Sequence, residues 1–253
     1  MTTTVNWPSF TKTWHKFSYP SISPTRPELS LTGKTVITTD GGDGIGAAIA
    51  KSVALAGASH LAIIGRRSAL LSKTAADIKA STGTATDILP VTADLTKKED
   101  VDKAIEQIHQ EFRYRPLDVL ITNAGFFTGP RPLGPETVEE WTNNFDVNVK
   151  AVYLITTAFL ARTANDATII NISSGMAHLS PIPGASSYAA TKLAGAKLIE
   201  YFAAENPRKR VVNVHPGQVG ETDLSAKYFG DTGSETVYID DGKSTLIIEV
   251  WRF

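Results

Sequence analysis

The chain has 253 residues, 42% of them hydrophobic and 20% charged, the balance of an ordinary soluble globular protein. Its formal net charge of −1, with no long Lys/Arg block, argues against nucleic acid and anionic membranes as general partners. The absence of cysteine removes disulfides, thiolate nucleophiles and cysteine metal ligands. No apolar run approaches a membrane span and the N-terminus lacks the pattern of a secretory signal, so a cytoplasmic location is expected.

Residues 1–31 are rich in Ser, Thr and Pro with scattered aromatics, the composition of an extended arm that its aromatic side chains could dock on the domain surface. From Lys34 the pattern becomes regular. VITT (36–39) reads as a strand, and 44–56 as a helix closed by Gly57. HLAIIG (60–65) is a second buried strand, followed by a helix over 69–81 stopped by Gly83 and a strand near 86–91. TKKEDVDKAIEQIHQEF is the clearest helix. Thr96 and Glu99 have capping-box spacing, and Val101, Ile105, Ile108 and Phe112 form one apolar stripe. LDVLITNAG (117–125) is an apolar strand running into a glycine turn. Helices are expected near 136–163, the strand TIINIS at 168–173, a helix over 186–204, and the strand RVVNVH before the Pro-Gly turn at 216–217. Strands and helices alternate, and the strands are continuous apolar runs. That pattern predicts an α/β fold in a single domain, with a doubly wound parallel sheet covered by helices on both faces.

In such a sheet ligands bind at the carboxyl ends of the strands. The first strand is followed by TDGGDGIG (39–46), where glycines allow close approach of a pyrophosphate to the start of the next helix. By itself a glycine run is weak evidence. The second strand is followed by Gly65-Arg66-Arg67; a cation there suits the 2′-phosphate of NADP and a carboxylate the ribose of NAD. Two arginines and no acid favour NADP, with NAD possible. YAATK places Tyr188 and Lys192 on one helix face, roughly 6 Å apart. An ammonium near a phenol draws its pKa of ~10 down toward the working range. NISSG (171–175) puts two hydroxyls at a strand end, where one could polarise a carbonyl. Taken alone, YAATK and NISSG are each more often ordinary structure.

Taken together and in order, the motifs resemble the short-chain dehydrogenase/reductase family, classical type, over about Thr32 to Leu224, with a weaker likeness of the N-terminal arm to the leader of a fungal branch. The family's T-G-x-x-x-G-I-G corresponds to TDGGDGIG, with Asp40 as the departure. The resemblance implies a Rossmann-like fold, a catalytic set of Asn148, Ser174, Tyr188 and Lys192, and cofactor contacts from Gly41, Gly44, Ile45, Gly46, Arg66, Asp94, Leu95, Asn123, Ala124, Gly125, Tyr188, Lys192, Val219 and Thr222. Tyr188 would exchange the substrate proton while NADP(H) transfers hydride. Ser174 would bond the substrate oxygen, Lys192 would bind the nicotinamide ribose and lower the Tyr188 pKa, and Asn148 would hold a relay water. The Ser-to-Tyr spacing is one residue longer than the family's, which leaves Ser173 as an alternative to Ser174. Thr222 also sits one place late after the Pro-Gly turn.

The expected function is NADP-dependent interconversion of an alcohol and a ketone or aldehyde, on a small or medium apolar metabolite. The alternative is a catalytically impaired dinucleotide-binding protein with a scaffolding or regulatory role, motivated by Asp40 and by the tail. Residues 225–253 look unlike the family's ending, as though it were lost or replaced, although LIIEV (246–250) could form a substitute strand. The five histidines (15, 60, 109, 178 and 215) lack H-x-x-x-H spacing, so no metal is expected and structural roles are. The family resemblance also implies a homodimer packed through the helices that follow Asn148 and Ser186.

Overall fold

The computed structural model describes residues 19–135, 137–219, 236–237 and 249–250. The chain runs β1 (Thr35–Thr39), α1 (Gly44–Leu55), β2 (His60–Gly65), α2 (Ser68–Thr82), β3 (Asp87–Thr92), α3 (Lys98–Glu111) and β4 (Leu117–Thr122). It continues through α4 (Val138–Phe145), a π-helical turn (Asp146–Lys150), α5 (Ala151–Leu160), β5 (Thr163–Ile172), α6 (Ser186–Glu205) and β6 (Arg210–His215). Three short strands follow: β7 (Gln218–Val219), β8 (Thr236–Val237) and β9 (Glu249–Val250).

The main sheet has the order β3-β2-β1-β4-β5-β6-β9, and β1 through β6 pair in parallel. The chain winds outward from β1 in one direction and from β4 in the other. The crevice where these two windings part lies at the carboxyl ends of β1 and β4. Burial explains why the strands are apolar throughout: every residue of β1 is buried, because helices cover both faces. On one face α3 and α5 pack Val101, Ile105, Ile108, Ile155 and Phe159 against Ile37, Ile64 and Leu120. On the other, α1 and α2 bring Ile49, Val53, Leu71 and Ile78 onto Val36 and Ile63. Phe159 is fully buried, so its truncation to alanine costs about 3–5 kcal/mol.

Three local expectations are corrected. Thr96 does not cap α3: its hydroxyl and amide both bond the Asp94 carboxylate, at 2.8 and 3.1 Å. The short Asx turn competes successfully for the hydroxyl, and Lys97 stands at the N-cap without a side-chain bond. The capping box forms instead at α4, where Thr137 Oγ1 accepts from the Glu140 amide at 3.1 Å and Glu140 Oε2 accepts from the Thr137 amide at 3.2 Å. The helical region over 136–163 is broken by the π-helical turn, and β5 begins at Thr163, earlier than the expected 168.

Residues 19–31 make two 3₁₀ turns, each opened by a proline (Pro20 and Pro27), and then the Leu31 amide bonds the Ala56 carbonyl at 2.8 Å. Leu31 packs against the α1/α2 core, so this part of the arm is docked by an aliphatic anchor. The first 18 residues of the arm, and most of the tail, lie outside the described residues. Of LIIEV, Glu249 and Val250 add to the sheet antiparallel to β6, opposite His215 and Val214. Among the described residues, no helix is long and apolar enough to cross a membrane.

Candidate active site

The turn after β1 is tight, and the glycines in it serve different needs. Asp40 has φ 52 and Gly44 φ 50, so both sit in the left-handed region. A methyl group at Gly46 would lie 2.0 Å from the Asp40 carbonyl oxygen and 2.7 Å from Asn123 Nδ2, so only glycine fits. At Gly41 a methyl group would meet Ile63 Cβ at 2.8 Å, which makes Gly41 a packing glycine against β2. The first α1 amide with a helical acceptor is that of Ala47, which bonds the Asp43 carbonyl at 3.0 Å. The amides of Gly44, Ile45 and Gly46 therefore begin the helix without intrahelical partners, as an anion site requires.

Thr39 joins this turn to the end of β4. Its Oγ1 accepts from the amides of Asn123 and Ala124 at 2.8 and 2.9 Å, and its carbonyl accepts from Asn123 Nδ2 at 3.2 Å. The Asn-Ala-Gly turn is thus held against the glycine-rich turn across the switch point. The sequence displayed Thr39, but nothing in one dimension showed its hydroxyl serving two amides of a distant strand.

At the end of β2, Arg66 and Arg67 are both exposed, and Arg67 pairs with Asp43 at 2.6 Å. The half-buried Asp40 carboxyl approaches Gly65: a methyl group built there would lie 3.9 Å from Asp40 Oδ1. Burial raises the Asp40 pKa, and the Asp43 carboxylate adds to the rise against the opposing pull of Arg67 and Arg66. Burial also acts to raise Asp94, but the bonds from the Thr96 hydroxyl and amide outweigh it and hold the carboxyl below its ordinary range. Leu95 is buried in the α3/α5 core, so its side chain serves packing there.

Tyr188, Ser174 and Lys192 converge. Ser174 hydrogen-bonds the Tyr188 hydroxyl and also accepts from the Met176 amide at 3.3 Å. Ser173 does neither: its hydroxyl is buried without a hydrogen-bond partner among the described residues. Ser174 is the serine beside the tyrosine. Lys192 is buried, 8% exposed, with its Nζ 3.0 Å from the Ile172 carbonyl and 5.7 Å from the centroid of the Tyr188 ring. Gly125 leaves the room for it, since a methyl group there would stand 3.3 Å from Nζ.

The expectation that Lys192 draws the Tyr188 pKa down is not met. Burial pushes Tyr188 up to about 12, and the Ser174 bond opposes this only in part. Burial also pulls Lys192 down to about 8. The ammonium points at a main-chain carbonyl rather than at the phenol oxygen, so desolvation decides both groups.

Asn148 sits in the π-helical turn with its side chain fully committed. Its Oδ1 accepts from the Phe126 amide at 2.8 Å, and its Nδ2 donates to the Phe126 carbonyl at 2.8 Å and to Thr191 Oγ1 at 3.0 Å. Thr191 Oγ1 donates in turn to the Tyr188 carbonyl at 2.9 Å. The π-helical turn and α6 approach closely because residue 195 is glycine; a methyl group there would lie 2.8 Å from the Asn148 carbonyl oxygen. Phe127 packs its ring 5.1 Å from that of Tyr188. Val219 is buried in the α1/α2 core at β7, whereas Thr222 lies outside the described residues. Thr191, Phe127 and His215, whose Nδ1 accepts from the Gly175 amide, support the site without a local sequence signal.

A glycine-rich turn at the switch point, with a Ser–Tyr–Lys cluster at the same sheet edge, defines a class: nicotinamide-nucleotide oxidoreductases built on a doubly wound sheet. The family model for short chain dehydrogenases matches residues 34–232. A short chain dehydrogenase of the fungus Pseudocercospora fijiensis is 36% identical over 214 residues, 83% of this chain and 67% of the relative. A dehydrogenase/reductase from Sinorhizobium meliloti superposes with a TM-score of 0.71 at 32% identity, over 81% of this chain and 79% of that one. A short chain dehydrogenase from Burkholderia cenocepacia, solved in complex with NADP, does so with a TM-score of 0.69 at 30% identity, over 78% and 81%. The chain belongs to the short-chain dehydrogenase/reductase family, in a fungal branch, and is an NAD(P)-dependent oxidoreductase.

Proposed function

We propose that the protein interconverts a small alcohol and the corresponding ketone or aldehyde, with NADP(H) preferred over NAD(H). The observation that carries this reading is the Ser174–Tyr188 hydrogen bond beside the buried Lys192. The residues present fit a dinucleotide. The Gly44, Ile45 and Gly46 amides suit its pyrophosphate, the exposed Arg66 suits a 2′-phosphate, and Asp94 lies at the carboxyl end of β3, toward the adenine side. The NADP complex of the Burkholderia relative supports the same preference. A bound nicotinamide supplies or accepts the hydride.

The chain's own groups handle the proton and the oxygen. Tyr188, kept as a phenol by burial, donates its proton to the oxygen of a carbonyl under reduction and takes it back in the oxidative direction. The Ser174 hydroxyl bonds that oxygen and holds it against Tyr188. Lys192, cationic at neutral pH, suits the hydroxyls of a nicotinamide ribose, while the Ser174 bond favours the phenolate that remains. Asn148 spends its side chain on Phe126 and Thr191, so a relay water would be held by its main-chain carbonyl.

In this reading residues 32–224 are the catalytic unit, 1–31 an arm and 225–253 a tail, working as a cytoplasmic homodimer on a small molecule and not on nucleic acid or membrane. One observation favours the alternative, an impaired dinucleotide-binding scaffold: Asp40 at φ 52 with its carboxyl near Gly65 at the end of β2. Titration with NADPH, followed by tryptophan fluorescence, separates the two. Saturable binding together with NADPH oxidation in the presence of a carbonyl panel is expected. NADPH binding without turnover of any carbonyl in the panel would move the assignment to the alternative.

A further inference from the structure

β5 and β6 run in register as far as Ser173, whose amide donates to the Val214 carbonyl at 2.7 Å. β6 then leaves the sheet, since Pro216 follows His215 and Gly217 turns with φ 77. Gly175 is buried, and a buried amide needs an acceptor. A side chain supplies one: the Gly175 amide donates to His215 Nδ1 at 3.1 Å. Ser174 lies between these two fixed amides in an extended conformation, φ −149 and ψ 145. Its hydroxyl leaves the chain there to reach Tyr188.

We infer that His215 is a positioning residue: its Nδ1 clamps the Gly175 amide and so fixes the turn from which the Ser174 hydroxyl meets Tyr188. This rests on the reading that Ser174 and Tyr188 act on the substrate oxygen. The clamp needs a neutral ring with its hydrogen on Nε2, because a protonated Nδ1 would face an amide N–H with another N–H. Burial, with the His178 imidazole adding to it, holds His215 down to about 4, so the ring is neutral at ordinary pH. No local pattern signals this link, since His215 lies 40 residues beyond Gly175.

Asparagine branches at the same atom as histidine and can place an acceptor where Nδ1 stands; leucine keeps the bulk without the acceptor, and glutamine carries its acceptor one bond too far. The test compares wild type, His215→Asn, His215→Leu, His215→Gln and Tyr188→Phe. It measures NADPH-dependent reduction of 9,10-phenanthrenequinone (or the best substrate in a panel of ketones and aldehydes), the NADPH Kd by fluorescence, and Tm. Leucine and glutamine are expected to lower kcat on the order of 10- to 100-fold, because the serine is displaced, with NADPH Kd and carbonyl KM within about twofold. Asparagine is expected to restore most of kcat. If the leucine protein does not fold, asparagine against glutamine decides. Wild-type kcat in the leucine and glutamine proteins, with Tyr188→Phe inactive, would overturn the clamp and leave the catalytic reading standing. Loss of NADPH binding and Tm in step with kcat, with no rescue by asparagine, would make His215 a structural residue only. An active Tyr188→Phe protein, or a wild type that reduces nothing with either nicotinamide nucleotide, would remove the catalytic reading and the clamp with it.

Discussion

Arg67 reaches back over the glycine-rich turn to Asp43, with Nη2 2.6 Å from Oδ2. That pair neutralises one of the two guanidiniums after β2, whereas Arg66 makes no ion pair among the described residues and stays exposed. Adjacent arginines that look equivalent in the sequence are divided by the fold into a surface tether and a free cation.

Arg66→Ala is therefore expected to weaken NADPH binding by roughly tenfold, the scale of a lost charge-assisted bond, while NADH binding changes little. Arg67→Ala should have a smaller effect, acting through the freed Asp43. Fluorescence titrations with both nucleotides check this. An unchanged NADPH/NADH ratio in Arg66→Ala would remove Arg66 from the 2′-phosphate site.

Asp40 combines a positive φ of 52 with a half-buried carboxyl near Asp43. Asp40→Gly relieves the backbone and removes a charge from the ribose side, so NADPH should bind roughly tenfold tighter, about 1.4 kcal/mol. The gain should be larger for NADPH than for NADH, and it should shrink as the pH falls and the aspartate of the wild type takes up its proton. Equal or weaker NADPH binding in the glycine protein would mean that Asp40 makes a useful contact.

Tyr188→Phe removes the proton donor and little else that touches a cofactor. Turnover should fall by a factor on the order of 10² to 10⁴ with NADPH affinity nearly unchanged. Lys192→Ala should damage both turnover and binding, because the ammonium serves both. Stopped turnover assays beside equilibrium titrations separate these effects, and substantial activity in Tyr188→Phe would take the tyrosine out of the mechanism.

The acid limb of stability should carry the signature of His215. Its pKa in the fold is about 4, against an ordinary 6.5. Between these values the unfolded chain binds more protons, so this contribution is complete above 6.5 and is lost as the pH falls toward 4. The raised carboxyl of Asp40 works in the opposite sense, so the comparison must be between wild type and His215→Asn. Melting curves should show the steeper fall in the wild type. Parallel curves would mean that His215 does not titrate differently on folding.

Tyr153 on α5 is 50% exposed, and Leu193 and Tyr201 on α6 are 46% and 61% exposed. Tyr153 also lies against Phe202 of α6, with ring centroids 6.3 Å apart, so the two helices present one apolar face. Light scattering at micromolar concentration should give a dimer, and Tyr201→Asp should shift it toward monomer. A wild-type monomer or tetramer would count against the dimer.

Much was legible in one dimension because parallel strands buried on both faces leave continuous apolar runs, and because the residues after each run must lie at one sheet edge. β1 to β6, the Gly57 and Gly83 stops, and the placing of the Tyr188 and Ser174 motifs at that edge all follow from local spacing. What spacing could not decide was competition between partners. Thr96 chose Asp94 over the end of α3, and Lys192 turned its ammonium to the Ile172 carbonyl while burial took Tyr188 upward. The choice between Ser173 and Ser174, the Thr39 bridge to Asn123 and Ala124, and the bond between His215 and Gly175 depend on residues brought together from distant parts of the chain. A hydrogen-bond partner and a desolvation penalty are set by three-dimensional neighbours, so the sequence by itself determined the sheet, the family motifs and their order along the edge. Only the tertiary structure decided which hydroxyl meets the tyrosine, which arginine pairs with Asp43 and which way burial shifts Tyr188, Lys192 and His215.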